Sequence, residues 1–213
     1  MTCVRILTSV AIIAATMIFP AAVQAQDSGG EDAPRTTVVI NTQHTLSQDD
    51  GYEPALMLIL EHPVLDNLAV ACFAWASPAW GEGYCGIATT LGDWLRVAVY
   101  FGLETAEVPV RAATQLTITA GPFTLTGVVE GGGSGVGYDA RMLFRITEHL
   151  QLGLMGQRGQ GEGILLRIDY GRVGFSFGYL YDIEKYLTSD RSNVWYSNRY
   201  WTTFLEFSVR VSP

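Results

Sequence analysis

The second half of the chain alternates. From Trp94 onward, residues two apart belong to one chemical class and their neighbours to another. Leu95, Val97, Val99, Phe101 and Leu103 form one set, and Trp94, Arg96, Ala98 and Tyr100 the other. Tyr138, Ala140, Met142, Phe144 and Ile146 interleave in the same way with Asp139, Arg141, Leu143, Arg145 and Thr147. The pattern recurs in Ile164 to Tyr170 and in Val173 to Asp182, where Phe175, Phe177 and Tyr179 alternate with Gly174, Ser176 and Gly178. It closes the chain with Trp201, Leu205, Phe207 and Val209 set against Thr202, Glu206, Ser208 and Arg210. A strand points successive side chains to opposite faces, so these are strands with one apolar and one polar face. Helical spacing is hard to find, and the 23 glycines would penalise helices further.

Segments and breaks predict an all-β chain of about twelve strands. They fall near 36–46, 54–62, 67–76, 84–91, 94–104, 109–119, 123–130, 138–147, 150–157, 163–170, 173–182 and 200–211. A count of ten stays open, because the alternation before Trp94 is less clean. Tight connections, such as Gly92-Asp93, Ala120-Gly121-Pro122, Glu148-His149 and Gly171-Arg172, alternate with longer ones over 47–53, 77–83, 105–108, 131–137, 158–162 and 183–199. Short turns on one rim and longer loops on the other are the layout of an up-and-down antiparallel transmembrane β-barrel with both termini at the turn end. Strands of 8 to 12 residues match the roughly 9–11 that a tilted membrane strand requires.

Periodicity alone leaves open which face points inward, since a soluble barrel would bury the apolar set and a membrane barrel would show it to lipid. The composition favours lipid. Only 16% of residues are charged, against 48% hydrophobic, and the apolar faces carry hardly a charge. Aromatic residues gather near segment ends, at Trp80, Tyr84, Trp94, Tyr170, Tyr181, Trp195, Tyr196, Tyr200 and Trp201, where an interfacial girdle would sit. The polar faces bear arginine and acids amid Gly, Ser, Thr and Gln, and Lys185 is the one lysine in the chain. On these residues, over 36–211, the chain resembles the bacterial outer-membrane β-barrel proteins as a class. That resemblance implies an outer-membrane location, lipid and lipopolysaccharide as surroundings, and insertion by the barrel-insertion machinery. Such chains often end in an aromatic residue, whereas this one ends Val211-Ser212-Pro213.

Residues 1–25 read as a cleaved secretory signal. Arg5 supplies the positive start, Ile6 to Ile18 the apolar stretch, and Val23-Gln24-Ala25 the small residues of a cleavage site. The run is too short for a spanning helix, which needs about 20 residues. Residues 26–35 form a flexible polar leader, leaving 36–213 as the barrel domain. Cys72 and Cys85 flank the turn at 77–83, and in a hairpin folded there they face each other, so an oxidising compartment would let them bridge.

On the polar face the lumen receives Arg96, Arg111, Arg141, Arg145, Arg167 and Arg210, with Glu130, Asp139, Asp169, Asp182 and Glu206 as partners. Arginine stays charged and presents a rigid fork of donors, so a row of them can line a wet, narrow pore for small solutes with a weak anion preference. The alternative is a plugged lumen in which arginines and acids simply pair, leaving a structural or adhesive barrel whose loops bind a partner. A further alternative is a soluble periplasmic barrel around an apolar ligand.

Other chemistries find little support. The net charge of −8 and the lack of a basic cluster argue against a nucleic-acid partner. Cysteines and histidines show no metal-ligand spacing, so no metal is expected. Gly131-Gly132-Gly133-Ser134-Gly135-Val136-Gly137 lacks the GxGxxG register and reads as a mobile surface loop, so no cofactor is expected. No GxSxG elbow exists, and only His44 is placed to meet a hydroxyl, so the chain does not read as an enzyme. The longest loop, 183–199, reads by default as solvent-exposed, and its mixed charge and aromatics also suit contact with lipopolysaccharide or partners, or a fold into the pore as a constriction.

Overall fold

The structure is a computed structural model that describes residues 35–47, 51–182 and 201–211. The signal at 1–25, the leader apart from its last residue Arg35, the loop at 183–199 and the girdle candidates Trp195, Tyr196 and Tyr200 lie outside the described residues.

Twelve antiparallel strands close into one barrel. They are β1 (Thr37–Ser47), β2 (Gly51–Leu65), β3 (Leu68–Ala76), β4 (Gly81–Leu91), β5 (Leu95–Glu104) and β6 (Val110–Ala120). The second half comprises β7 (Phe123–Gly132), β8 (Gly135–Arg145), β9 (Leu150–Gln157), β10 (Gly161–Tyr170), β11 (Val173–Tyr181) and β12 (Trp201–Val211). Each strand pairs with its sequence neighbours, and β1 meets β12 from Val38 opposite Val211 to Ser47 opposite Thr202, which removes both sheet edges. The two-residue turns Gly121-Pro122 and Gly171-Arg172 put glycine first, at φ 58° and 61°, a backbone that only glycine adopts without strain.

The connections at the loop end are shorter than their composition suggests. Strands run into the expected loops, leaving 77–80 of 77–83, 133–134 of 131–137 and 158–160 of 158–162. The glycine-rich stretch is therefore a hairpin, not a mobile loop, because β7 and β8 stay paired from Phe123 opposite Phe144 to Gly132 opposite Gly135.

Orientation decides the setting of the barrel. Phe144, Phe175 and Phe207 point outward and are 41%, 42% and 44% exposed, while Arg141 and Arg167 on the same walls point inward to ion-pair with Glu206. A soluble barrel would have the reverse arrangement. Outward aromatics form two belts: Tyr52, Tyr138, Tyr179 and Trp201 at the loop end, and Trp94, Phe123, Phe144 and Tyr170 at the turn end. Tyr181 pairs with Glu162, so the rows of Tyr181 and Tyr170 on β10 and β11 are separated by the run from Glu162 to Tyr170. That run is roughly 26 Å along the strand at about 3.3 Å per residue, or about 20 Å along the axis at a tilt of about 40°. The spacing suits the apolar band of an outer-membrane barrel. Tyr84 departs from the expected girdle: it is inward and buried, because it lies in phase with Glu82 and Ala88 on β4.

Cys72 and Cys85 form a disulfide, directly opposite each other on β3 and β4 with Cα atoms 4.1 Å apart. Their row continues through Leu60 and Phe101, so the bridge lies on the outer face.

Candidate functional site: the barrel lumen

Inward positions place every predicted arginine in the lumen, but not in one track. They divide into two networks, one isolated pair and two free groups.

The first network is dry and lies near the loop end. Arg111, second residue of β6, faces Glu104 at the end of β5, Glu82 on β4 and Glu130 on β7. One guanidinium nitrogen donates to Glu104, and another reaches Glu130 at 3.2 Å. Ser134, at the tip of the β7–β8 hairpin, donates to Glu104 from its amide at 2.8 Å and its hydroxyl at 2.7 Å. The Tyr84 hydroxyl donates to Glu130 at 2.8 Å. The side chains of Arg111 and Glu104 are 2% and 0% exposed. Below them Ala71, Tyr84, Ala88, Ala98, Tyr100 and Ala113 pack as an apolar lining, with Phe73 stacked on Tyr84 at 4.4 Å.

The second network is wetter and sits on β8 to β12. Arg141 grips both Asp139 oxygens at 3.2 Å and reaches across to Glu206 on β12 at 3.0 Å. Arg167 holds Asp169 with Nε and Nη2 and approaches the same Glu206 at 3.7 Å. Gln151 donates to Asp169 at 2.8 Å. Space for this comes from Gly174: a Cβ there would stand 2.4 Å from Ser208 Oγ, 2.7 Å from Asp169 Oδ1 and 3.0 Å from Arg167 Nη2. Arg141 also lies over the Phe204 ring at 5.4 Å, where Phe204 packs with Leu165, Leu180 and Met155.

Arg96 stands apart, donating to Glu61 at 2.6 Å and to Gln115 at 3.0 Å. Arg145 and Arg210, exposed at the turn end, make no ion pair among the described residues. Asp182 is buried at the end of β11.

Three acids of these clusters, Glu61, Glu82 and Glu104, were not among the expected partners. Glu104 was within reach of the pattern, since counting by twos from Arg96 arrives at it. Glu61 and Glu82 lie where the alternation is weakest. With Glu53 they make carboxylates outnumber arginines on the inner face.

The histidines sit elsewhere. His44 faces outward and bonds the Tyr52 hydroxyl at 2.6 Å, His62 bonds the Thr36 hydroxyl at 2.9 Å, and His149 reaches the Asp169 carbonyl at 3.0 Å. No acid orients His44 or His62 among the described residues, as a triad would require.

No family model and no curated protein sequence matches the chain. Solved structures do. The chain is similar to a structure described as KdgM porin, with 9% identity, a TM-score of 0.53, and 80% of this chain and 98% of that chain covered. It is equally similar to a membrane protein solved in a study of in-meso crystallization, at 10% identity, a TM-score of 0.53, and 84% and 83% coverage. The outer membrane protein Omp33 of Acinetobacter baumannii matches at 8% identity and a TM-score of 0.48, covering 84% and 98%. At these identities the first two likenesses, each with a TM-score of 0.53, establish the fold alone, a closed β-barrel of the kind seen in the KdgM porin.

Proposed function

We propose that this chain is an outer-membrane pore through which small hydrophilic solutes diffuse passively. One observation carries the reading: ion pairs of the lumen remain partly solvated, from Arg96 and Glu61 near the turn end to Arg141 and Asp139 on β8. Glu61 beside Arg96 keeps 38% of its side-chain exposure, and Asp139 beside Arg141 keeps 30%. Side chains in a dry plug would not hold that much water contact, and the inner face of a barrel wider than about eight strands leaves room for it. The porin-like fold agrees with this reading. So do the exposed apolar belt and the signal proposed over residues 1–25, which would deliver the chain to the periplasm for insertion among outer-membrane lipids.

The selectivity follows from the pairing. An anion track needs free guanidinium groups, and Arg96, Arg111, Arg141 and Arg167 are each held by carboxylates. The surplus of acids tilts the lumen slightly towards cations, against the anion preference that the arginines alone suggest. A second reading, a non-conducting barrel that serves a structural or adhesive role, draws on the dry Arg111 cluster and on Phe204 and Leu180, which are fully buried.

Reconstitution in a planar bilayer separates the two. The pore reading expects small, ohmic steps, and a reversal potential in a KCl gradient that shows a weak cation preference. A folded barrel that never conducts overturns it in favour of the structural reading.

A further inference from the structure

The loop-end mouth holds a cavity of about 270 Å³. Its walls come from β1, β2 and β3 on one side and from the β9–β10 hairpin on the other. In the closed order β3 and β9 are six strands apart in either direction, so Trp75 on β3 and Gln157 on β9 stand at opposite ends of a diameter. The cavity therefore lies across the barrel axis rather than in a side wall.

Its lining is unlike the two ionic networks. Three primary amides, Gln43, Gln157 and Gln160, dominate the polar part, and the indole of Trp75 supplies the apolar part. Gln43 is 2% exposed, and no side-chain hydrogen bond ties it to another described residue. Gln157 Oε1 and Gln160 Oε1 are buried without a hydrogen-bond partner. Buried polar atoms are rarely left so, because each lost bond is costly. The charged groups at the rim, Glu53 and Arg158, are of opposite sign, so the cavity has no net attraction for an ion.

We propose that this cavity binds an uncharged, hydroxyl-rich solute about the size of one sugar ring. A primary amide both donates and accepts, as does a hydroxyl, so each Gln can meet a hydroxyl in either sense. The flat indole of Trp75 suits the apolar C–H face of a ring. The volume falls just below the roughly 300–1,000 Å³ of pockets for drug-sized ligands, which selects a small occupant. The proposal extends the pore reading by naming a solute class, but occupancy of the mouth is measured without conduction.

The test is calorimetric titration of D-glucose into the whole barrel, refolded in detergent micelles. The expected result is saturable binding with a Kd of roughly millimolar order. Gln160→Leu at the hairpin tip and Gln43→Leu in the wall should each weaken it about fivefold, the worth of one neutral hydrogen bond. Arg172→Ala, in the exposed β10–β11 turn at the far rim, should leave it unchanged. Heat-modifiable migration in gels confirms that each variant is folded, and if Gln43→Leu fails there, Gln160→Leu alone decides. No saturable binding up to about 100 mM overturns the proposal, since it places affinity far below that expected for a built site. Glycine or inorganic phosphate binding as tightly as glucose overturns it as well, because the site would then read charge. So does an unaltered affinity in Gln160→Leu. A barrel that conducts but ignores glucose removes this inference alone, and one that binds but never conducts removes the pore alone.

Discussion

The lumen contains two arginine clusters built from the same residue types with different consequences. Around Arg111, three carboxylates converge on one guanidinium; Arg111 and Glu104 are sealed from water, while Glu82 and Glu130 keep 12% and 19% of their side-chain exposure. Around Glu206, two arginines converge on one carboxylate, and their outer partners Asp139 and Asp169 stay in contact with water. The first cluster acts as filler, tying β4, β5, β6 and β7 together near the mouth. The second is shared: either arginine can compensate Glu206 if the other is lost, and on the pore reading a passing ion would meet the partly exposed Asp139 and Asp169. Dryness, rather than charge count, separates the structural cluster from the one that can influence transport.

Arg111→Met should have the largest effect. It leaves Glu104, Glu82 and Glu130 facing one another without their cation, and an uncompensated buried charge typically costs about 3–5 kcal/mol. Urea unfolding followed by gel migration should show a loss of that order, and an unchanged midpoint would mean that water enters the cluster. Glu206→Gln should be intermediate. It strips the shared carboxylate from Arg141 and Arg167, so the reversal potential should shift towards anions, with a stability loss of about 1–3 kcal/mol from the buried bonds it breaks. A large stability loss with no change in selectivity would make the second cluster filler too. The double variant Arg145→Ala, Arg210→Ala should do least, within about 0.5 kcal/mol, since exposed, unpaired charges contribute little to folding.

Most of the architecture could be read from the chain because the side-chain period of a strand is two and a membrane barrel imposes it on nearly every segment. Phe101, Phe144, Phe175 and Phe207 all fall on the outward parity that the sequence predicts. Reading fails where residues lack side chains to carry the alternation. Gly131 to Gly137 looks like a loop for that reason, although its backbone stays in the β7–β8 ladder. Tyr84 was misplaced because an aromatic near a strand end suits a girdle and a lumen equally, and only its phase with Glu82 decides. The arginines were legible as inward residues, but their partners were not. Arg141 meets Glu206 from four strands away, and no local signal in either strand announces the other. The mouth cavity was further out of reach, since Gln43, Trp75 and Gln157 come together only once the ring is closed.

The position of the Cys72–Cys85 bridge has a consequence for biogenesis. Thiol–disulfide exchange needs a thiolate, and a thiolate is strongly disfavoured in hydrocarbon. Sulfurs that look out among acyl chains beside Leu60 and Phe101 are thus shielded from polar reductants and oxidants alike. If the chain reaches the outer membrane by way of the periplasm, as the proposed signal implies, the cross-link would be made while the β3–β4 hairpin is still in water, and the chain would enter the bilayer with the register of that hairpin already stapled.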